Sequence, residues 1–423
     1  MVAVLEGRRV RALVAMAAML LVSLAGATAA HATFNPAVVV TGANLGEPGI
    51  DVARDGSIYI NAPTGLLSSL PGSPSDVFRS DDTGTTWTLL PAGLKADFPG
   101  GGDSDISLDP STGAIAETDL WLGSATVSTS TDKGETWTAS PIQGVVVQDR
   151  QWVAQAGGGN VYHLTHQIPS GLIVSKSVDG GLAYPISTVA ATPADQTGCI
   201  CPPGNLIAEG GSTLGLSDKV GFVYATSSGG VNFGRSTNGG LTFTNGTVGP
   251  ATSGDTSQAF PVVANGGGGH LSAVWLEIDG TSSSVVKYAQ SSDWGATWSA
   301  PRVLVGTGTS VYPWVAAQGS KVAVSLYHTS ASGTPGTVPA SAQWFETYLE
   351  STDGGSTFST PETVDPTVVK TGPICTSGTG CSGNRELLDF QSDTIDNQGR
   401  ANLTWTHSID NVSDTEIRFA RQP

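Results

Sequence analysis

Two acidic pairs stand out in a chain of which only 13% is charged: Asp103 with Asp105, and Glu386 with Asp389. Paired carboxyls can divide the work of cleaving an acetal, one protonating the leaving oxygen while the other activates water or attacks. These four are the candidate catalytic residues. At the same place in a repeating unit stand Glu47, Asp149, Arg150, Tyr312, Trp314 and Arg385. Arginines grip carboxylates bidentately and aromatic rings stack on sugar faces, so these six are the candidate ligand-binding residues. Asn205 and Gln258 complete the ring of positions. Polar residues at the ends of strands also satisfy each other without any ligand.

A second set, His166, Glu277, His328 and His407, recurs at the end of another strand of the unit. Its register rests on Ala273-Val274-Trp275-Leu276-Glu277 against Leu403-Thr404-Trp405-Thr406-His407. Imidazole serves as acid, base or metal ligand near neutral pH. Equivalent positions in a ring lie a full unit apart, too far to share one metal. The expectation is structural roles for all four, with no metal and no other cofactor.

The elements that must position these residues are short strands. Fifty-five glycines, few charges and almost no helical periodicity point to many strands joined by turns. One turn recurs. Ser80-Asp81-Asp82-Thr83-Gly84-Thr85-Thr86-Trp87 returns from Ser130 to Trp137, from Ser291 to Trp298 and from Ser351 to Phe358, with softer copies at Ser236–Phe243 and Ser177–Tyr184. In S-x-D-x-G-x-T-W, Asp holds nearby backbone N–H groups, Gly takes positive φ, and Thr with its aromatic begins the next strand. The leading serines stand 50, 47, 59, 55 and 60 residues apart, the length of a four-stranded propeller blade.

This pattern resembles the Asp box, or BNR repeat, of the sialidase superfamily, and it spans nearly all of the chain after its first 32 residues. The resemblance implies an all-β propeller. Counting whole units gives seven blades, with six, the number in superfamily sialidases, as the alternative. Thr415–Ala420 reads as the third strand of a seventh unit cut off before its box. Phe34-Asn35-Pro36-Ala37-Val38-Val39-Val40 matches Trp298–Leu304, the strand after a box, so the N-terminal strand is expected to complete the last blade and close the ring. The boxes then lie on one face, and the loops leading into each inner strand, with the candidate residues, line the mouth on the other. Sialidases bind a carboxylate with three arginines, the first preceding Ile-Pro. Here that stretch reads Glu47-Pro48-Gly49-Ile50, so the arginine is missing, and only Arg150 and Arg385 stand in the lead-in loops.

Residues 1–32 read as a secretory signal: Arg8, Arg9 and Arg11, an uncharged apolar run from Ala12 to Ala25, and Ala30-His31-Ala32 as the cleavage site. The expected products are a signal peptide over 1–32 and a single propeller domain over 33–423, released outside the cell. Formal charge is −17 for the whole chain, which disfavours nucleic acid and anionic membranes as partners. Cys199, Cys201, Cys375 and Cys381 suit disulfides in an exported chain, and three pairings are open. The functional expectation is a monomeric propeller that binds an extracellular glycan or protein at the mouth. The alternatives are an exo-acting glycoside hydrolase that uses the paired carboxyls, or a structural or assembly propeller.

Overall fold

The computed structural model describes residues 34–423, except 65–73, 98–99, 122–123, 143–147, 168–170, 193–202, 227–228, 251–260 and 280–282. Cys199, Cys201 and Gln258 lie outside the described residues. The compact unit spans Thr33–Pro423. Its first strand, β1 (Val38–Thr41), belongs to the last blade. Blade I follows with β2 (Gly49–Val52), β3 (Ile58–Ala62), β4 (Asp76–Ser80) and β5 (Thr88–Leu89). Blade II is β6 (Ser104–Leu108), β7 (Ile115–Trp121), β8 (Ser124–Ser130) and β9 (Thr138–Ile142). Blade III is β10 (Gln148–Gly157), β11 (Asn160–Gln167), β12 (Gly171–Ser177) and β13 (Ile186–Ala191).

Blade IV is β14 (Pro203–Glu209), β15 (Lys219–Ala225), β16 (Val231–Ser236) and β17 (Thr244–Gly249). Blade V is β18 (Val262–Gly267), β19 (His270–Asp279), β20 (Ser283–Ser291) and β21 (Arg302–Val305). Blade VI is β22 (Thr309–Gln318), β23 (Lys321–Thr329), β24 (Gln343–Ser351) and β25 (Glu362–Thr363), with β26 (Lys370–Thr371) also paired to β24. Blade VII is β27 (Ser392–Ile395), β28 (Ala401–Ser408) and β29 (Thr415–Arg421), completed by β1. Every pairing within a blade is antiparallel, and the chain is an all-β propeller of seven blades.

The ring closes as the sequence predicts. Val38 pairs with Phe419, Val39 with Arg418 and Thr41 with Ile417, and Asn35 N–H donates to the Arg421 carbonyl at 2.9 Å. A strand from one end of the chain thus covers β29, the edge left by the other.

The six repeated turns share one geometry. In each, Ser Oγ donates to the Asp or Asn side chain and accepts from the box Gly N–H; in the first box these bonds are 2.8 and 2.9 Å. The two residues after the box Asp or Asn are left-handed, for example Lys133 at φ 63° and Gly134 at φ 85°. Backbone and side-chain donors hold the exposed carboxyls of Asp82, Asp132 and Asp293 down at about 2. The box glycine is also a docking point. A Cβ on Gly84 would stand 2.0 Å from the Phe419 ring of blade VII, and one on Gly295 2.3 Å from the Phe233 ring of blade IV. Each turn therefore glues its blade to the one before, and Trp87 adds an edge-on contact with Phe419 at 5.2 Å.

Inner strands present a backbone edge to the channel, and side chains of the preceding blade satisfy it. Leu108 N–H donates to Asp51 at 2.8 Å, and Val153 N–H donates to Asp105 at 2.9 Å. Asn205 makes the complete version: its Oδ1 accepts from Val263 N–H and its Nδ2 donates to the Val263 carbonyl, both at 2.8 Å. These bonds pay the desolvation cost of edge groups that no fifth strand covers.

Candidate functional site at the channel mouth

Near the start of four inner strands stands a left-handed residue that is not glycine: Glu47 at φ 48° and Leu388 at 58° just ahead of β2 and β27, Arg150 at 46° and Tyr312 at 51° among the first residues of β10 and β22. Strained backbone of this kind persists only where the surroundings over-determine it. Pairing skips at these points, between Asp149 and Gln151 and between Val311 and Trp314. The skipped residue leaves the ladder, and its side chain joins a cluster at the head of the channel.

Arg150 is the centre of that cluster. Its Nη2 lies 3.6 Å from Glu47 and 3.4 Å from Asp389, and its Nε lies 3.5 Å from Asp103. Arg385 closes the outer side with a 2.7 Å bond to Asp389, and Asp389 N–H donates to Glu47 at 2.9 Å. Asp149 accepts from Arg150 N–H at 3.0 Å. The Tyr312 hydroxyl donates to the Cys375 carbonyl at 3.4 Å, and burial followed by the Asp389 charge keeps that phenol well above its ordinary range. Seven of the ten residues singled out by type and spacing, Glu47, Asp103, Asp149, Arg150, Tyr312, Arg385 and Asp389, thus meet in one cluster, and Trp314 lies just beneath it.

Electrostatics decide what the cluster can do. Burial pushes the Glu47 carboxyl up to about 8; Arg150 opposes this, while Asp103 and Asp389 add to it. Glu47 therefore holds its proton at neutral pH. The two guanidiniums of Arg150 and Arg385 are then answered by Asp103 and Asp389. Burial alone would favour loss of the Arg150 charge, but the surrounding carboxylates, Asp103 first, outweigh it. Side-chain exposure is 4% for Arg150 and 2% for Glu47, against 29% for Arg385 and 20% for Asp103. Arg385 and Asp103, with the half-buried Asp149, are the cluster members that reach solvent.

Below the charges lies an aromatic layer. Trp152, Trp314 and Phe390 meet with centroids 5.2–5.8 Å apart, and the Arg150 guanidinium sits 4.9 Å over Phe390. All three rings are buried. Under them a cavity of about 500 Å³, lined by all seven inner strands, runs towards the box face. Trp152 and Phe390 escaped the sequence reading. Trp152 carried a signal, since Gln151-Trp152-Val153-Ala154 matches Pro313-Trp314-Val315-Ala316 in register; Phe390 carried none.

The remaining candidates sit elsewhere. Asp105 lines the cavity below the aromatic layer, bonded to Val153, and burial raises its carboxyl to about 7. Glu386 is committed to Lys370 in a pair whose side chains are 1% and 0% exposed, with Ser408 Oγ donating to it at 3.3 Å. Asn205 is the inter-blade bond described above. Each member of the second set has its own neighbour: His166 lies across the ladder from Asp149, Glu277 is 3.7 Å from Lys287, and His328 is 3.1 Å from Ser310 Oγ. Burial pushes the His407 imidazole down to about 4, Arg418 adding to the effect. Among the described residues no three His, Cys, Asp or Glu side chains are grouped to hold a metal ion. Cys375 and Cys381 form a disulfide in the long loop that leads to Asp389.

No protein-family model matches this sequence, and no curated protein matches it. Solved structures do. A protein of unknown function from Dyadobacter fermentans DSM 18053 superposes with a TM-score of 0.52 at 14% identity, over 93% of this chain and 99% of that one. YCF48 from Cyanidioschyzon merolae gives 0.52 at 12% identity, over 91% and 98%. The chain is a β-propeller of their kind. An α-L-arabinofuranosidase from Fusarium graminearum, in complex with an iminosugar inhibitor, gives 0.50 at 11% identity, over 92% and 96%. At such identities the likeness is one of fold, and it reaches glycosidase and other propellers alike.

Proposed function

We propose that this protein is an exported, monomeric, non-catalytic propeller that binds an extracellular carbohydrate or protein ligand on its lead-in face. The observation that carries this reading is the state of Arg150. A guanidinium that is to clamp a substrate carboxylate must have free donors facing solvent, whereas Arg150 is buried and surrounded by three carboxyls. The exposed groups, Arg385 and Asp103, suit recognition by hydrogen bonds at the rim of a closed floor. The acidic composition supports release into solution and argues against nucleic acid or anionic membrane as the partner.

One observation favours a second reading, a glycoside hydrolase. Glu47 is a protonated acid at neutral pH, and its oxygen and that of Asp389 flank one Arg150 nitrogen, so the two carboxyls are within about 7 Å of each other. That upper bound does not exceed the roughly 5–9.5 Å used by glycosidases. The experiment treats residues 33–423 with a panel of fluorogenic glycosides, sialosides and arabinofuranosides included, and with a glycan array. The binding reading expects no hydrolysis and array binding that falls at least tenfold in Arg385→Ala. Turnover that disappears in Glu47→Gln would overturn it in favour of the hydrolase.

A further inference from the structure

On the box face of blades I, III and IV, the residue just before the box serine spans the gap to the next blade. Arg79 donates to the Lys133 carbonyl in the box of blade II at 2.9 Å. Lys176 reaches the Gly215 carbonyl beside the box of blade IV at 3.1 Å, and Arg235 reaches the Trp294 carbonyl in the box of blade V at 2.9 Å. In blade V this position is Gln290, which is shorter and uncharged. Its Oε1 accepts from the Tyr288 hydroxyl at 3.2 Å and reaches Gly355 in the box of blade VI without bonding a carbonyl there. Arg302 on the outer strand takes over the task, donating to the Ser356 carbonyl at 2.6 Å and to the Gly355 carbonyl while stacking on Tyr288 and Phe358.

The substitution leaves a space. A cavity of about 500 Å³ opens between the boxes of blades V and VI, lined among others by Trp298, Gln290, His270, Ser292, Ser299 and Ser356. Trp298 is the box aromatic of blade V, anchored edge-on against Phe233 at 5.4 Å and half-buried, with its Nε1 buried and unpartnered. Among the described residues nothing bonds the His270 ring or the Gln290 amide nitrogen. The one carboxylate in the lining, Asp353, is already engaged by Ser351 and Thr357 at 2.6–2.9 Å. An indole, an amide, an imidazole and hydroxyls, beside one carboxylate already held by neutral donors, are the groups that recognise a neutral polyhydroxylated ring.

We propose that this cleft is a second binding site, for a neutral saccharide, on the face opposite the mouth. It does not rest on the function proposed for the mouth. The test is saturation-transfer NMR of the folded propeller with maltotriose, cellotriose, xylotriose and arabinotriose, followed by titration. At least one trisaccharide shows transfer to its ring protons. Gln290→Arg restores the arginine that the fold accepts at positions 79 and 235, fills the cleft and weakens binding at least tenfold, with unfolding unchanged in a thermal melt. His270→Ala weakens binding about threefold to tenfold, whereas Arg385→Ala at the mouth leaves it unchanged. Absence of transfer from all four sugars overturns the proposal, as does a Gln290→Arg protein that binds as well as the parent. A response abolished by Arg385→Ala and untouched by Gln290→Arg assigns binding to the mouth and likewise overturns it.

Discussion

Replacing Asp105 by asparagine should stabilise the protein, and only above mildly acidic pH. Asp105 is half-buried at the channel between blades II and III with its carboxyl on Val153 N–H, and its folded pKa rises from 3.8 to about 7. The native state therefore holds a proton that the unfolded chain releases near pH 4. Between those values the native protein binds more protons than the unfolded one, so stability falls as pH rises and levels off above about 7. A displacement of about 3 units at about 1.36 kcal/mol each makes the penalty about 4 kcal/mol at pH 8. Asparagine keeps the acceptor, removes the titration and adds an amide donor. The molecule already contains that arrangement, since Asn205 binds both backbone groups of Val263 at 2.8 Å. The assay is urea denaturation of parent and Asp105→Asn at several values from pH 4 to 8. Taking the difference between the two proteins cancels the slopes contributed by Glu47 and Asp51. It should be near zero at pH 4 and grow to about 3–4 kcal/mol in favour of the variant at pH 8. A variant that is weaker by the same amount at every pH would refute the argument, because the carboxyl would then be acting as an unreplaceable acceptor.

Other consequences of the packing are as direct. Gly84→Ala puts a methyl group 2.0 Å from the buried Phe419 ring at φ 88°, so chemical denaturation should show a loss of about 2–4 kcal/mol. Gly56→Ala, at φ 92° with nothing within 4 Å, should cost about 1 kcal/mol and calibrates the backbone share. Deleting residues 34–41 strips β1 from β29 and exposes the edge of blade VII; the expected result is a lower melting temperature and concentration-dependent association by light scattering. Lys370→Met leaves the Glu386 carboxyl buried without its cation and should cost about 3–5 kcal/mol, while the double variant with Glu386→Leu should recover most of that loss.

The turn repeat was legible because its chemistry is local. Each box closes its hydrogen bonds within five residues, from Ser80 to Gly84 or from Asp132 to Thr136, so the sequence window that encodes the turn contains all its partners. Blade count and closure followed from that register. The mouth was legible only as a list of residues. Pro48 and Pro313 follow Glu47 and Tyr312, and a residue before proline ordinarily avoids helical conformations and settles in extended backbone. Both are left-handed here, which local preference argues against and only the contacts over the channel can enforce. The split between Asp389 and Glu386 was invisible for a similar reason. They stand three residues apart in one loop, yet one meets Arg150 and the other meets Lys370, and Lys370 is brought there by β26 pairing with β24 of blade VI. Nothing in residues 385–389 encodes that pairing. Whether a carboxyl in this protein acts as an acid, a rim contact or a strut is decided by its depth and its partner, and both are properties of the closed ring. The substitution at position 290 works the other way: a single shorter side chain, plain in the sequence, acquires meaning only when the arginines at 79 and 235 are seen filling the gap it leaves open.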